Sequence, residues 1–139
     1  MRTIIFLLAV AGIVVSSLAW QIHYSNKVQP CDINAHWDCG IVNHSRYSMI
    51  RQVPVAAVGV AGYLLIALLA LFRKRRWTLI FALIGLGFAL YLSHIEASIL
   101  EVWCLYCAIS QGIIALIAIL AAADLARGSR TRPDSASAR

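Results

Sequence analysis

Charged residues are scarce in this sequence. Only 13% of its 139 residues are Asp, Glu, Lys or Arg, whereas 61% are hydrophobic. A water-soluble domain cannot cover so large an apolar content with polar side chains, so the composition excludes an ordinary soluble protein and indicates the lipid bilayer as its solvent. The length leaves room for about four spans of about 20 residues each and for no second soluble domain.

Common cofactor-binding patterns are also missing. The sequence contains no Gly-x-Gly-x-x-Gly fingerprint for a flavin or nicotinamide dinucleotide. Cys107 is followed by Ala108, so the Cys-x-x-Cys-His pattern of covalent haem attachment is absent as well. The chain therefore has no sequence signature for binding a flavin, a nicotinamide dinucleotide or a covalently attached haem.

Four apolar runs of roughly membrane-spanning length are present. We interpret each as a transmembrane helix, because about 20 helical residues cross about 30 Å of hydrocarbon. The expected fold class is therefore an all-α membrane protein, a four-transmembrane-helix bundle with an extracytoplasmic loop between helices 1 and 2. The runs are Ile4 to Trp20, Val53 to Phe72, Trp77 to Leu92 with an extension toward Ile99, and Val102 to Leu125.

The domain boundaries follow from these runs. We assign residues 1–125 to the transmembrane domain and predict that residues 126–139, rich in Arg, Ser and Ala, form a disordered cytoplasmic tail with nothing to bury. The first run also fits a cleaved signal peptide, since Arg2 precedes an apolar stretch that ends in Ser17-Leu18-Ala19. Either interpretation leaves the long loop on the same side of the membrane.

Basic residues indicate the orientation. Nine of the twelve Lys and Arg residues fall on one side of a four-span arrangement, which is expected to be cytoplasmic. All four cysteines then lie on the extracytoplasmic side. Because the charges cluster at run ends, they indicate contact with membrane lipid and no nucleic-acid surface. The nine residues are Arg2, Arg73, Lys74, Arg75, Arg76, Arg127, Arg130, Arg132 and Arg139.

The cysteines form two pairs. Cys31 and Cys39 lie in the long loop, whereas Cys104 and Cys107 open the fourth helix. Paired thiols in an oxidising compartment are candidates for disulfides. At a helix N-terminus, the Cys-x-x-Cys spacing puts two sulfurs one turn apart and favours a reactive thiolate. Two pairs on one face suggest a relay, in which one pair exchanges with a soluble dithiol and the other passes two electrons onward.

Other interpretations of the cysteines remain open at this point. Zinc sites use Cys-x-x-Cys as well, although the loop pair has a longer spacing than such sites, and we expect no metal. The chain is alternatively a non-enzymatic small membrane assembly subunit with structural disulfides. For the relay, a lipid-soluble quinone is the acceptor left by elimination. Gln111 shares a helix face with Cys104 and Cys107 and is a candidate donor to a quinone carbonyl.

With these residues placed, the chain resembles the vitamin K epoxide reductase family in its bacterial, single-domain form. The pattern departs from the family at two positions: Leu105 stands where bacterial relatives often have Pro, and Gln111 stands where vertebrate enzymes have a quinone-contacting Tyr. The resemblance is carried by the ordered set Cys31-Asp32, Cys39, Ser45-Arg46, Arg76-Trp77 and Cys104-x-x-Cys107.

The resemblance implies a quinone-dependent thiol–disulfide oxidoreductase that generates disulfides. It would reside in the cytoplasmic (inner) membrane with its active site facing the periplasm or exterior. Cys31 would meet a thioredoxin-like extracytoplasmic partner, Cys39 would exchange with Cys104, and Cys107 would face ubiquinone or menaquinone. Ser45 would lie beside the disulfide chemistry and support the loop against the bundle.

Overall fold

Four long apolar helices and one short helix form the body of the protein. The computed structural model describes residues 1–28 and 30–130. The short helix α2 belongs to the segment that joins the first two long helices. In chain order the helices are α1 (Arg2–Tyr24), α2 (Cys39–His44), α3 (Val55–Leu71), α4 (Arg75–Ile95) and α5 (Leu105–Arg130).

Three of the long helices are long and apolar enough to cross a membrane. They are α1, α5, and α4 together with its continuation to Leu100. Helix α3 is equally apolar but has only 17 residues, fewer than the roughly 20 that span the hydrocarbon without local thinning. The protein is therefore a mostly helical membrane protein with three candidate spans and a shorter apolar helix.

The segment between α1 and α3 has more structure than a plain loop. Besides α2 it contains a short 3-10 helix, Arg46–Ser48, and a small antiparallel hairpin. The hairpin joins strands β1 (Met49–Ile50) and β2 (Val53–Pro54). The sequence predicts only a loop here, so the hairpin is an addition to the expected helices. Arg51 and Gln52 form its turn with positive φ angles of 46° and 71°.

Small residues let the helices approach closely. Ala9, Ala67 and Ala82 are buried in the core, where α1 packs against α3 and α5. At Gly12 of α1 an added Cβ would collide with the ring of Tyr63 on α3. Lipid offers no hydrophobic drive for helix association, so such close packing is a main source of cohesion in a membrane bundle.

The end of the bundle opposite the cysteines is basic. Arg2, Arg73 and Lys74 surround a cavity there, and the Nε atom of Arg75 lies 2.9 Å from a carboxylate oxygen of Asp124. This ion pair ties α4 to the last turns of α5, which continues to Arg130.

The predicted boundary of the C-terminal tail therefore needs correction. Residues 126–130 are helical, because the helix that crosses the bundle carries on past Leu125 with Ser129 bonding back to the Leu125 carbonyl at 3.2 Å. The other residues assigned to the tail, 131–139, lie outside the described residues.

The contact between Gly12 and Tyr63 leads to a prediction about stability. We expect Gly12→Ala to destabilise the protein by about 1–3 kcal/mol, because the new methyl group overpacks the interface of α1 with α3. The matched control is Gly62→Ala in α3, where an added Cβ meets no described atom within 4 Å. Thermal unfolding in detergent checks this, and equal melting temperatures for the two variants would contradict it.

Candidate functional site

The two cysteine pairs meet at one end of the bundle. Cys31 and Cys39 form a disulfide with Cα atoms 5.9 Å apart, while Cys104 and Cys107 are free thiols. The disulfide and Cys104 lie in one buried cluster, against which Cys107 packs. Because Cys31, Cys39 and Cys104 are at most 2% exposed, water is excluded from the sulfurs between which electrons would move.

Local hydrogen bonds explain why Cys39 begins a helix. The preceding residue, Asp38, caps α2 by accepting from the backbone N–H of Ile41 at 2.9 Å. Asp32, next to Cys31, accepts from the backbone N–H of Gly40 at 3.3 Å. The two carboxylates therefore hold both ends of the disulfide-bonded segment to the start of α2.

Asn43 links the loop pair to the helix pair. Its side-chain amide donates to the carbonyl of Cys39 at 2.8 Å and to the sulfur of Cys104 at 3.6 Å. The backbone carbonyl of Asn43 accepts from the His23 ring of α1 at 2.6 Å. Asn43 is buried, so its amide fixes the distance between Cys39 and Cys104 in a place where water does not compete.

The linker between α4 and α5 covers the segment that precedes Cys39, to which it is hydrogen-bonded. The backbone N–H of Asp38 donates to the Trp103 carbonyl at 3.1 Å, and the N–H of Trp103 donates to the His36 carbonyl at 2.8 Å. The rings of Trp37 and Trp103 lie 6.4 Å apart above these bonds. This cover holds the residues before Cys39 against the residue before Cys104.

Glu96 is the one acidic residue buried among the described residues. It begins the π-helical turn Glu96–Leu100 after α4 and is only 3% exposed. Its carboxylate accepts from the backbone N–H of Cys104 at 3.2 Å and also forms a hydrogen bond with the Cys107 side chain. A buried carboxylate is therefore placed in direct contact with the helix pair.

The surroundings of Cys104 favour its thiolate. A hydrogen bond from the Cys107 side chain lowers the pKa of the Cys104 thiol below its ordinary value, whereas burial and the charge of Glu96 oppose this effect. Backbone groups of Cys107 and Tyr106 lower the pKa further. Cys104 is thus a good leaving group when a mixed disulfide that contains its sulfur is resolved.

A mostly apolar cavity of about 420 Å³ lies between the helices beside this cluster. Cys107 and Glu96 line it at the cysteine end, and Tyr63 and Ser110 line it deeper in the bundle. The Tyr63 hydroxyl donates to the Ser110 carbonyl at 2.7 Å, so α3 and α5 are held together at that depth. The volume of the cavity and the small number of polar groups that line it are typical of a pocket for a small organic molecule.

Two predicted site residues occupy different surroundings. Ser45 lines the cavity and ends α2, with its hydroxyl bonded to the Val42 carbonyl at 2.8 Å. Gln111 accepts a hydrogen bond from Ser93 of α4 and is not among the described residues that line the cavity. The roles assigned to both stay predictions.

Sequence reasoning missed Asn43 and Glu96. Asn43 lies four residues after Cys39, so a helix there puts it on the cysteine's face, but this segment was interpreted as loop. Glu96 is an acidic residue in the extension of an apolar run, which is by itself a signal of function in a membrane protein.

The chain is thus a membrane protein in which a buried disulfide, the buried thiol of Cys104 and the partly buried thiol of Cys107 lie together beside an apolar cavity. Its sequence matches the vitamin K epoxide reductase family over residues 3–122. The chain therefore belongs to this family. Members of the family are generally quinone-linked oxidoreductases, which supports an oxidoreductase activity for this chain.

The position of Asn43 leads to a prediction about exchange between the pairs. We expect Asn43→Leu to slow transfer of the disulfide between them by roughly 2- to 12-fold, the effect of about 0.5–1.5 kcal/mol for losing the one hydrogen bond that reaches Cys104. Quenching with an alkylating reagent followed by peptide mass spectrometry measures this rate.

The control for this experiment removes an amide that lies outside the site. Gln21→Leu does so on an exposed face of α1 near the same end of the bundle. Transfer at the wild-type rate in the Asn43 variant, or an equal slowing in the Gln21 variant, would contradict the role of Asn43.

Proposed function

We propose that this protein is a membrane quinone-dependent thiol oxidoreductase that generates disulfides. Electrons pass from a thioredoxin-like extracytoplasmic partner to the Cys31–Cys39 disulfide, then to Cys104 and Cys107, and finally to a quinone. The observation that carries the proposal is the packing of the loop disulfide and Cys104 in one buried cluster, with Cys107 packed against this cluster and lining the apolar cavity.

The oxidation states fit one stage of such a cycle. The loop pair holds the disulfide that a partner would reduce, while the helix pair holds the two thiols that remain after it has oxidised the loop pair. The next event is reoxidation of Cys104 and Cys107.

Exchange between the pairs runs through Cys39 and Cys104. When a partner has reduced the loop pair and the helix pair is oxidised, a Cys39 thiolate attacks the Cys104 sulfur and releases the Cys107 thiolate. Cys31 then attacks Cys39, which closes the loop disulfide and leaves Cys104 reduced. The Asn43 amide, bonded to the Cys39 carbonyl and to the Cys104 sulfur, keeps the two reacting residues together.

The cavity fits a quinone ring. Its apolar walls suit a lipid-soluble molecule, and Tyr63, Ser110, Glu96 and Cys107 supply polar groups along its length. A bound quinone provides an acceptor of two electrons and two protons. The lining residues would hold the quinone beside Cys107, and their apolar side chains would exclude water from it. Gln111, bonded to Ser93, would need another rotamer to join them.

A protein partner must displace the cover to reach Cys31. The Cys31 side chain is only 2% exposed, and the segment before Cys39 is held by the two backbone hydrogen bonds to Trp103. We infer that the partner's thiol attacks Cys31 once this segment has moved aside, because Cys39 is occupied on its inner side by Asn43 and Cys104. A small dithiol that diffuses into the bundle does not need this movement.

Sidedness is tested by reporter fusions. The basic cavity and the cysteine cluster lie at opposite ends of α1, and the excess of basic residues at the first end is expected to face the cytoplasm. Fusions after Arg51 and after Arg76 should report the extracytoplasmic and cytoplasmic sides, respectively. Two fusions on the same side would remove the basis for an oxidising environment around the cysteines.

The relay order is tested by two cysteine variants. We expect Cys107→Ala to abolish quinone reduction with every thiol substrate, because it removes the sulfur that meets the acceptor. We expect Cys31→Ala to retain quinone reduction by a small dithiol but to lose oxidation of a thioredoxin-like protein. Purified enzyme in detergent with a soluble quinone serves for both assays, and a Cys31 variant that oxidises the protein at the wild-type rate would overturn the order.

A further inference from the structure

The buried Glu96 carboxylate has no role in the exchange described so far. Its only hydrogen-bond contacts among the described residues are the Cys104 backbone N–H, at 3.2 Å, and the Cys107 side chain. Burying a carboxylate is costly, and an amide would satisfy the same backbone donor without that cost. A carboxylate is useful here for what an amide cannot do, which is to accept a proton.

The location of Glu96 suits proton transfer at the reacting end of the cavity. Both Glu96 and Cys107 line the cavity, so the carboxylate reaches the thiol and the space where a quinone ring would lie. The π-helical turn that begins at Glu96 widens the helix at this point and directs the residue toward the start of α5. Such a turn inside or at the end of a helix is frequent at functional sites.

We propose that Glu96 accepts the proton of the Cys107 thiol and returns it to the quinone during reoxidation of the helix pair. This inference rests on the proposed quinone-linked function and assigns a further catalytic residue to it. Glu96 contacts the reacting sulfur of Cys107 directly.

The step balances in electrons and protons. The S–H bond of Cys107 breaks, its proton goes to the Glu96 carboxylate, and the sulfur becomes a thiolate. A bond then forms between the Cys104 and Cys107 sulfurs, and the electron pair goes to the quinone. The proton held by Glu96 and the proton given up by Cys104 complete reduction to the quinol, so Glu96 ends the cycle as a carboxylate.

The variant that tests this is Glu96→Gln. The amide oxygen still accepts from the Cys104 N–H, so the position of the helix pair is retained, but the side chain no longer takes a proton. We expect quinone-dependent turnover to fall by about 10²-fold or more, as when other general bases are removed. The matched control is Glu101→Gln, an exposed acidic residue five positions on, which should keep the wild-type rate.

A second readout uses the quinone-free enzyme. Labelling of Cys107 with iodoacetamide, followed by mass spectrometry, reports access to the sulfur and its thiolate content. At high pH, where the thiolate forms without an internal base, we expect labelling in Glu96→Gln to be as fast as in wild type. A positioning role predicts that labelling and turnover fall together, so unchanged labelling beside slower turnover distinguishes a proton acceptor from a structural support.

The pH dependence gives a third comparison. The titratable groups in contact with Glu96 are Cys104, just before α5, and Cys107 in its first turn, and the phenols of Tyr47, Tyr63 and Tyr106 line the same cavity. Without the internal base, the Cys107 proton must leave to water, so turnover of Glu96→Gln should rise steeply with pH toward the wild-type value. A parallel profile for the two proteins would contradict proton transfer by Glu96.

The possible outcomes separate the two claims. If wild type and Glu101→Gln both fail to reduce quinone, the proposed function is wrong. If they succeed and Glu96→Gln is within twofold of them, the role of Glu96 is overturned. Should Glu96→Gln not fold, Glu96→Asp carries the test, because it keeps the charge but shortens the reach. Slower quinone reduction with unchanged labelling then supports the proposal, and an unchanged rate overturns it.

Discussion

The packing of the loop disulfide, Cys104 and Cys107 against one another is the central constraint on this fold. Thiol–disulfide exchange needs sulfur atoms in contact, and here they come from two segments far apart in the chain. The amide of Asn43 bonds to the Cys104 sulfur across 61 residues of sequence, and backbone bonds join Trp103 to His36 and Asp38 on the outer side. The helical bundle is the frame that brings these segments to one end.

The same constraint explains how the polar groups around the sulfurs are distributed. In a dry cluster each buried polar group needs a partner, and the Asn43 amide, the Glu96 carboxylate and the Cys104 thiol all find theirs within the site. Asn43 serves the side that faces the loop disulfide, whereas Glu96 serves the side that faces the cavity. The helix pair thus stands between two different environments, one suited to exchange with sulfur and the other suited to transfer of electrons and protons to an organic acceptor.

Sequence patterns predicted the apolar helices because bilayer length and composition constrain them strongly. They also identified the cysteine pairs, since the chemistry of a Cys-x-x-Cys at a helix start depends on spacing alone. Periodicity did not predict α2, which has only six residues and is stabilised by the Asp38 cap and by His23 of α1. It could not predict that Gln111 bonds to Ser93, because the sequence does not show which face of α5 turns toward α4. Such choices depend on how neighbouring helices are rotated, which is a tertiary property.

Exchange between Cys39 and Cys104 can be tested by trapping a disulfide that joins these two residues. In a chain with both Cys31→Ser and Cys107→Ser, these two cysteines have lost the partners that would resolve a disulfide between them. Mild oxidation and peptide mass spectrometry should then find a disulfide joining the Cys39 and Cys104 peptides in most of the folded protein. If both cysteines instead remain alkylatable thiols under conditions that oxidise the wild-type pairs, the two pairs do not communicate and the account is wrong.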